Sequence, residues 1–131
     1  MKKIILWSIG VVIVIGGVFL GLYLNRVSNY REAIEEIIIE NEDIASLENG
    51  VYPGECDVDF IHVKLEVTIL DGVITKIEIL EHYNGQGTPA EAIIDDILDQ
   101  QSLEVDAIAG ATNSSLVIKK AVELALKSQP K

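Results

Sequence analysis

Residues 4–24 contain no charged side chain, and this run constrains the chain more than any other feature of it. As a helix rising about 1.5 Å per residue it would span roughly 31 Å, the thickness of a bilayer's hydrocarbon core. Trp7 and Tyr23 stand near its ends, where amphipathic rings favour the membrane interface. A cleaved secretory signal is the competing reading. Its apolar core is usually shorter and closes on a small-x-small site, whereas this run leads into Leu22, Tyr23, Leu24, Asn25 and Arg26. The sequence therefore predicts an uncleaved, single-pass membrane anchor over residues 1–27. Lys2, Lys3 and the amino terminus set against Arg26 and Arg31 orient it with the N-terminus inside and the following domain outside the cytoplasm. No cysteine near the start is available for lipid attachment.

Charge divides the chain at the same place. The net charge is −11, yet residues 1–24 carry two lysines and no acid, which leaves 8 bases against 21 acids in the remainder. So acidic a segment repels phosphate backbones, and no basic run with interleaved aromatics offsets this, so nucleic acid is excluded as a partner. One cysteine and two histidines are too few for a disulfide framework or for a zinc or iron–sulfur site. Cys56 reads as a buried, inert thiol.

Beyond the anchor the pattern predicts an α+β domain, a small antiparallel sheet packed with helices. Residues 28–47 space Tyr30, Ala33, Ile34, Ile37, Ile38, Ile44 and Ala45 at helical intervals, a juxtamembrane helix or stalk over 28–48. Asn49-Gly50 breaks it. Ile61, Val63, Leu65, Val67 and Ile69 then alternate with polar residues, the mark of a strand buried on one face. Asp71-Gly72 suits the two positive-φ positions of a type I′ turn, and Val73, Thr75, Ile77 and Ile79 continue the alternation on a return strand. A third strand is expected near residues 51–57. Thr88-Pro89-Ala90-Glu91 has the form of a helix start with a capping box, and Ile93, Ile94, Ile97 and Leu98 follow as its buried stripe. A last helix runs over about 114–127 with Leu116, Val117, Ala121, Val122, Leu124 and Ala125 inward. Strands first and helices after give the α+β class.

Two turns carry the chemistry. Gly85-x-Gly87-x-x-Ala90 matches a dinucleotide fingerprint in letters, but it follows an antiparallel hairpin and Pro89 removes one amide, so the fingerprint's context is absent. A surface loop and a ligand-lining loop both remain open, with His82 at its entrance a candidate contact. His62, on a polar strand face, reads as solvated. The second turn, Asp106 to Ser115, sets Gly110, Ala111, Thr112, Asn113, Ser114 and Ser115 at the start of the last helix. Unpaired amides and the positive end of the helix dipole there suit a phosphate or carboxylate, while capping by Thr112, Asn113 or Ser114 is the plainer use of the same residues. No nucleophile–base pair, paired carboxylates or EF-hand spacing points to hydrolysis or to a metal.

Asp106-x-x-Ala109-Gly110-Ala111-Thr112 resembles the flavinylation motif of the FMN-binding domain, found in small subunits of the sodium-pumping NADH:quinone reductase and of related ferredoxin-dependent ion pumps. The resemblance spans residues 49–127 (a domain expected over 49–128). It takes in Asn49-Gly50-Val51-Tyr52-x-Gly54, the Asp71-Gly72-x-Ile74 turn and Gly110-Ala111-Thr112-x-Ser114-Ser115 in the family's order. It implies that a separate flavin transferase takes FAD and esterifies the FMN phosphate to Thr112, with Asp106 the acidic residue it reads. The phosphate site would comprise Gly110, Ala111, Asn113, Ser114 and Ser115, and Gly85, Gly87 and His82 would form an isoalloxazine wall. Ala109 stands where the motif carries Ser or Thr. The resemblance implies an extracytoplasmic electron carrier rather than a stand-alone enzyme. The alternatives are a domain that binds FMN without a covalent bond and a cofactor-free acidic interaction module of a membrane complex.

Overall fold

A computed structural model of the chain describes residues 1–83 and 87–131. It divides into two compact units, Met1–Glu32 and Ala33–Lys131. The first is helical: α1, Lys2–Glu35, is one continuous helix of 34 residues with no buried side chain. It is long and apolar enough to cross a membrane. The helix expected over 28–47 is the continuation of α1 and stops at Glu35. No Gly or Pro interrupts the chain between Leu24 and Gly50, so the helix carries on. It ends at Ile37-Ile38-Ile39, where three β-branched side chains in a row disfavour helix. Residues 36–43 are irregular and lead to a 3₁₀ turn, Ile44–Ser46.

The second unit is α+β, as its sequence pattern predicts. Strands β1 (Gly50–Asp57), β2 (His62–Leu70) and β3 (Val73–Tyr83) form an antiparallel meander in that order. Leu70 pairs with Val73 across a two-residue turn in which Asp71 (φ 53°) and Gly72 (φ 73°) both take the positive φ of type I′. Val63, Leu65, Val67 and Ile69 are fully buried on one face of β2. The alternation expected for β3 fails at its start: Val73 and Thr75 are exposed and Ile74 is buried. The cause is a register shift between Thr68 and Ile69, which leaves Thr75 unpaired as a bulge and flips the side chains before it. A second shift, between Lys64 and Leu65, leaves Leu80 unpaired and turns His82 to the side of Val63, the core side.

Three helical segments complete the unit: a 3₁₀ helix, Thr88–Ala92, then α2, Ile93–Gln100, and α3, Thr112–Leu126. The capping box does not form. The N-cap is Gly87, no side chain caps the segment, and the Glu91 carboxylate bonds to His82 instead. α2 ends at Gln101 in the left-handed region (φ 50°). The Gln101 amide accepts from Ile74 N–H at 2.7 Å and donates to the Ile74 and Leu98 carbonyls at 2.9 and 2.7 Å, closing one edge of β3 and the end of α2. α3 packs across β1 and β2 with Val117, Ile118, Ala121, Val122, Ala125 and Leu126 buried. Leu124, expected inward, is 38% exposed.

Glu123 takes the buried place that the pattern assigned to its neighbour. Its side chain is 1% exposed and accepts from Lys120 Nζ at 2.9 and 3.0 Å, Lys127 Nζ at 2.8 Å and Glu40 N–H at 3.1 Å. Lys120 also donates to the Ile38 carbonyl at 2.9 Å, and Lys127 to Glu40. The irregular segment after α1 is thus fastened along the C-terminal half of α3. Burial alone would raise the Glu123 pKa, but the Lys127 and Lys120 ammonium groups and the Glu40 amide together hold it below the ordinary 4.5. A depressed folded-state pKa means the contribution is complete above about 4.5 and is lost as pH falls through the folded value. Urea unfolding of the wild type is expected to weaken with acidification below that point. Glu123→Gln should be less stable at pH 7 by about 1–2 kcal/mol, because the two lysines left behind are partly solvated, and its profile should be flatter in acid.

Candidate functional site

The residues singled out in the second turn come together at the N-terminus of α3. Leu103 and Val105 are buried, Asp106 is exposed, and the chain turns over residues 108–111, where Ala111 N–H donates to the Ile108 carbonyl at 3.0 Å. Gly110 takes the third position of this turn at φ 78°, a place a type II turn reserves for glycine. Among the described residues, a Cβ there would meet nothing within 4 Å.

Capping by Thr112, Asn113 or Ser114 is corrected by the structure. The N-cap is Ala111 (φ −135°, ψ 38°), those three residues form the first turn of the helix, and no side chain caps it. A methyl group cannot accept a hydrogen bond, so the cap residue itself satisfies none of the first-turn amides. Thr112 and Asn113 are exposed, whereas Ser114 and Ser115 are 3% and 0% exposed. Ser115 Oγ accepts from Ile108 N–H at 3.0 Å and donates to the Ala111 carbonyl at 2.8 Å. Its hydroxyl therefore holds the turn from below. Lys119, one helical turn on, donates from Nζ to the Val105 carbonyl at 2.8 Å. No acid lies in the first turn of α3, in a chain with 21 of them.

His82 sits elsewhere in the unit, on β3. Its side chain is 3% exposed and its Nδ1 lies 2.7 Å from Glu91 Oε1, which joins the end of β3 to the 3₁₀ helix. That 3₁₀ helix packs against α3, so the pair braces an element adjoining the helix that carries Thr112. Gly87 is buried as the N-cap of the same 3₁₀ helix. Gly85 lies outside the described residues. His62 is not simply solvated: it bonds to Glu55 at 2.8 Å and stacks on Tyr83 with 6.1 Å between ring centroids. Cys56 is buried, and burial pushes its thiol pKa up, as suits an inert residue.

Sequence reasoning gave Glu91 a capping role and assigned no contact at the site to Lys119, Gln101 or Glu123. The i, i+4 spacing of Ser115 and Lys119 was a usable signal, since it puts both on one face of a helix. The i−3 and i+4 places of Lys120 and Lys127 about Glu123 were another, while His82, Ile74 and Glu40 come from other segments.

An antiparallel meander with a final helix that presents an exposed threonine behind a Gly-Ala turn defines a small α+β domain. The sequence model of the FMN-binding domain matches residues 61–127, and the chain belongs to that family. The matched stretch begins just before β2 and ends at the C-cap of α3, so β1 lies ahead of it. No curated protein and no solved structure matches the chain. FMN is the cofactor of the family, and the residues are compatible with its phosphate end: no side-chain cap from Ala111, no described atom over Gly110 and no carboxylate in the first turn. Thr112, Asn113 and the turn ahead of them are the residues that would hold it. With α1, the chain is an FMN-binding protein that carries a helix long and apolar enough for a membrane anchor.

Proposed function

We propose that this protein is a membrane-anchored, extracytoplasmic electron carrier whose FMN is esterified to Thr112, akin to the small flavin subunits of the sodium-pumping NADH:quinone reductase and related ion pumps. The observation that carries the reading is the exposed Thr112 at the start of a helix that no side chain caps. In the attachment step a flavin transferase brings FAD, and Thr112 Oγ1 attacks the flavin-side phosphorus. The P–O bond of the pyrophosphate breaks, AMP leaves and the hydroxyl proton passes to the transferase or to solvent. No electrons are exchanged. Asp106, exposed six residues ahead, is the acidic residue the transferase reads.

When bound, FMN supplies one- and two-electron chemistry. The chain supplies the attachment point, the dipole of α3 toward the phosphate and, with α1, a tether at the membrane. The organisation we assign is an anchor over 1–27, a juxtamembrane stalk over 28–48 and the FMN-binding domain over 49–128. The N-terminus faces the cytoplasm. Partners are the membrane, the transferase during maturation and redox proteins at the membrane surface, and nucleic acid has no part. An ester bond suits such a place, because FMN held only by contacts would be lost to the medium.

The test is the intact mass of protein purified from membranes after co-expression with a flavin transferase. A gain of one FMN less one water is expected. An unmodified yellow protein would replace this reading with non-covalent FMN binding, and Ala109 would be the first residue to change.

A further inference from the structure

The segment between α2 and α3 has no strand partner and no regular structure over residues 104–108, so side chains must hold its shape. Two of them do so from one face of α3. Ser115 and Lys119, four residues apart, bond to three main-chain groups of the segment. Each bond fixes a peptide plane, and a plane carries atoms of two residues. The Val105 carbonyl held by Lys119 shares its plane with the amide of Asp106. The Ala111 carbonyl held by Ser115 shares its plane with the amide of Thr112. The Ile108 amide, also held by Ser115, fixes the start of the turn between them.

We propose that Lys119 is a positioning residue for flavin attachment: with Ser115 it clamps the 105–111 segment to α3, so that Asp106 and Thr112 reach the transferase in one fixed arrangement. The inference rests on the covalent reading above. Lys119 touches neither the flavin nor the reacting atoms. It spares the transferase from ordering the segment on binding, and such pre-organisation strengthens binding of the protein substrate rather than the chemical step. Lys119 is half-buried, so Lys119→Met keeps the aliphatic stem and removes only the donor.

The experiment is a transferase time course with FAD on the full chain in detergent, followed by intact mass at several protein concentrations. Loss of one charge-assisted hydrogen bond corresponds to roughly ten-fold, so the KM of Lys119→Met is expected to rise about ten-fold with kcat within about two-fold. Lys119→Arg, which can still donate to the Val105 carbonyl, should restore most of it. Amide exchange at residues 106–110 should quicken in Lys119→Met while the thermal midpoint stays near that of the wild type. An unchanged KM overturns the inference, as does a lowered midpoint with no rescue by Arg, which would make Lys119 a stability residue. A wild-type chain left unmodified would instead overturn the covalent reading, and this inference with it.

Discussion

Thr112→Ala, co-expressed with transferase and supplied with FAD, is expected to keep the mass of the bare polypeptide. The loss should be complete rather than partial, because no neighbouring hydroxyl can stand in. Ser114 and Ser115 follow closely in sequence, but they are 3% and 0% exposed, and the Ser115 hydroxyl is committed to Ile108 and Ala111. Thr112 caps nothing and lies exposed, so its truncation should change stability by no more than about 0.5 kcal/mol. Thr112→Ser keeps the nucleophile and should be modified. Intact mass separates these outcomes, and an unmodified Thr112→Ala that stays yellow after gel filtration would show that FMN binds without the bond.

The largest stability effect is expected at Gly54, far in sequence from the site. α3 lies so close to β1 there that a Cβ would stand 2.1 Å from the Ala121 carbonyl oxygen, 2.7 Å from Ala125 Cβ and 2.9 Å from Ala125 N. Two of those atoms are helix backbone, which cannot move aside without lifting α3 from the sheet. Gly54→Ala is therefore expected to cost at least about 3 kcal/mol, at the upper end for overpacking, and to lower the thermal midpoint by roughly 12 °C or more. Gly110→Ala is the control. A Cβ there meets nothing, and only the positive φ is penalised, by about 1 kcal/mol. Thermal unfolding of the two variants side by side checks the contrast. A Gly54→Ala protein as stable as Gly110→Ala would mean that α3 does not sit on β1 as closely as described.

Local pattern carried a good part of this fold. The hairpin over β2 and β3, its Asp71-Gly72 turn, the buried face of β2 and the final helix all follow from period-two or helical spacing and from turn chemistry between near neighbours. The motif ahead of α3 was also readable, because Gly110, Ala111 and Thr112 act through the backbone of their own segment. The points missed share one cause. The inward turn of His82 depends on the bulge at Leu80, which arises from pairing with β2 and leaves no mark in the alternation of β3 itself. The capping box at Thr88 lost Glu91 to a histidine on the preceding strand. Leu124 and Glu123 exchanged their expected places because Glu40, Lys120 and Lys127 gather around a carboxylate that the helical wheel puts near the boundary.

The sequence by itself determined an apolar membrane-length helix, an α+β domain behind it and the Gly-Ala-Thr turn ahead of α3, because each rests on interactions within a few residues or on gross composition. Only the tertiary structure decided which hydroxyls of that motif face outward and which serve the turn. It also decided that Lys119 reaches back to Val105 and that the segment after α1 is bound to the end of α3. Those outcomes depend on contacts between residues brought together by packing, and their energy is shared between segments that carry no trace of one another in their own patterns.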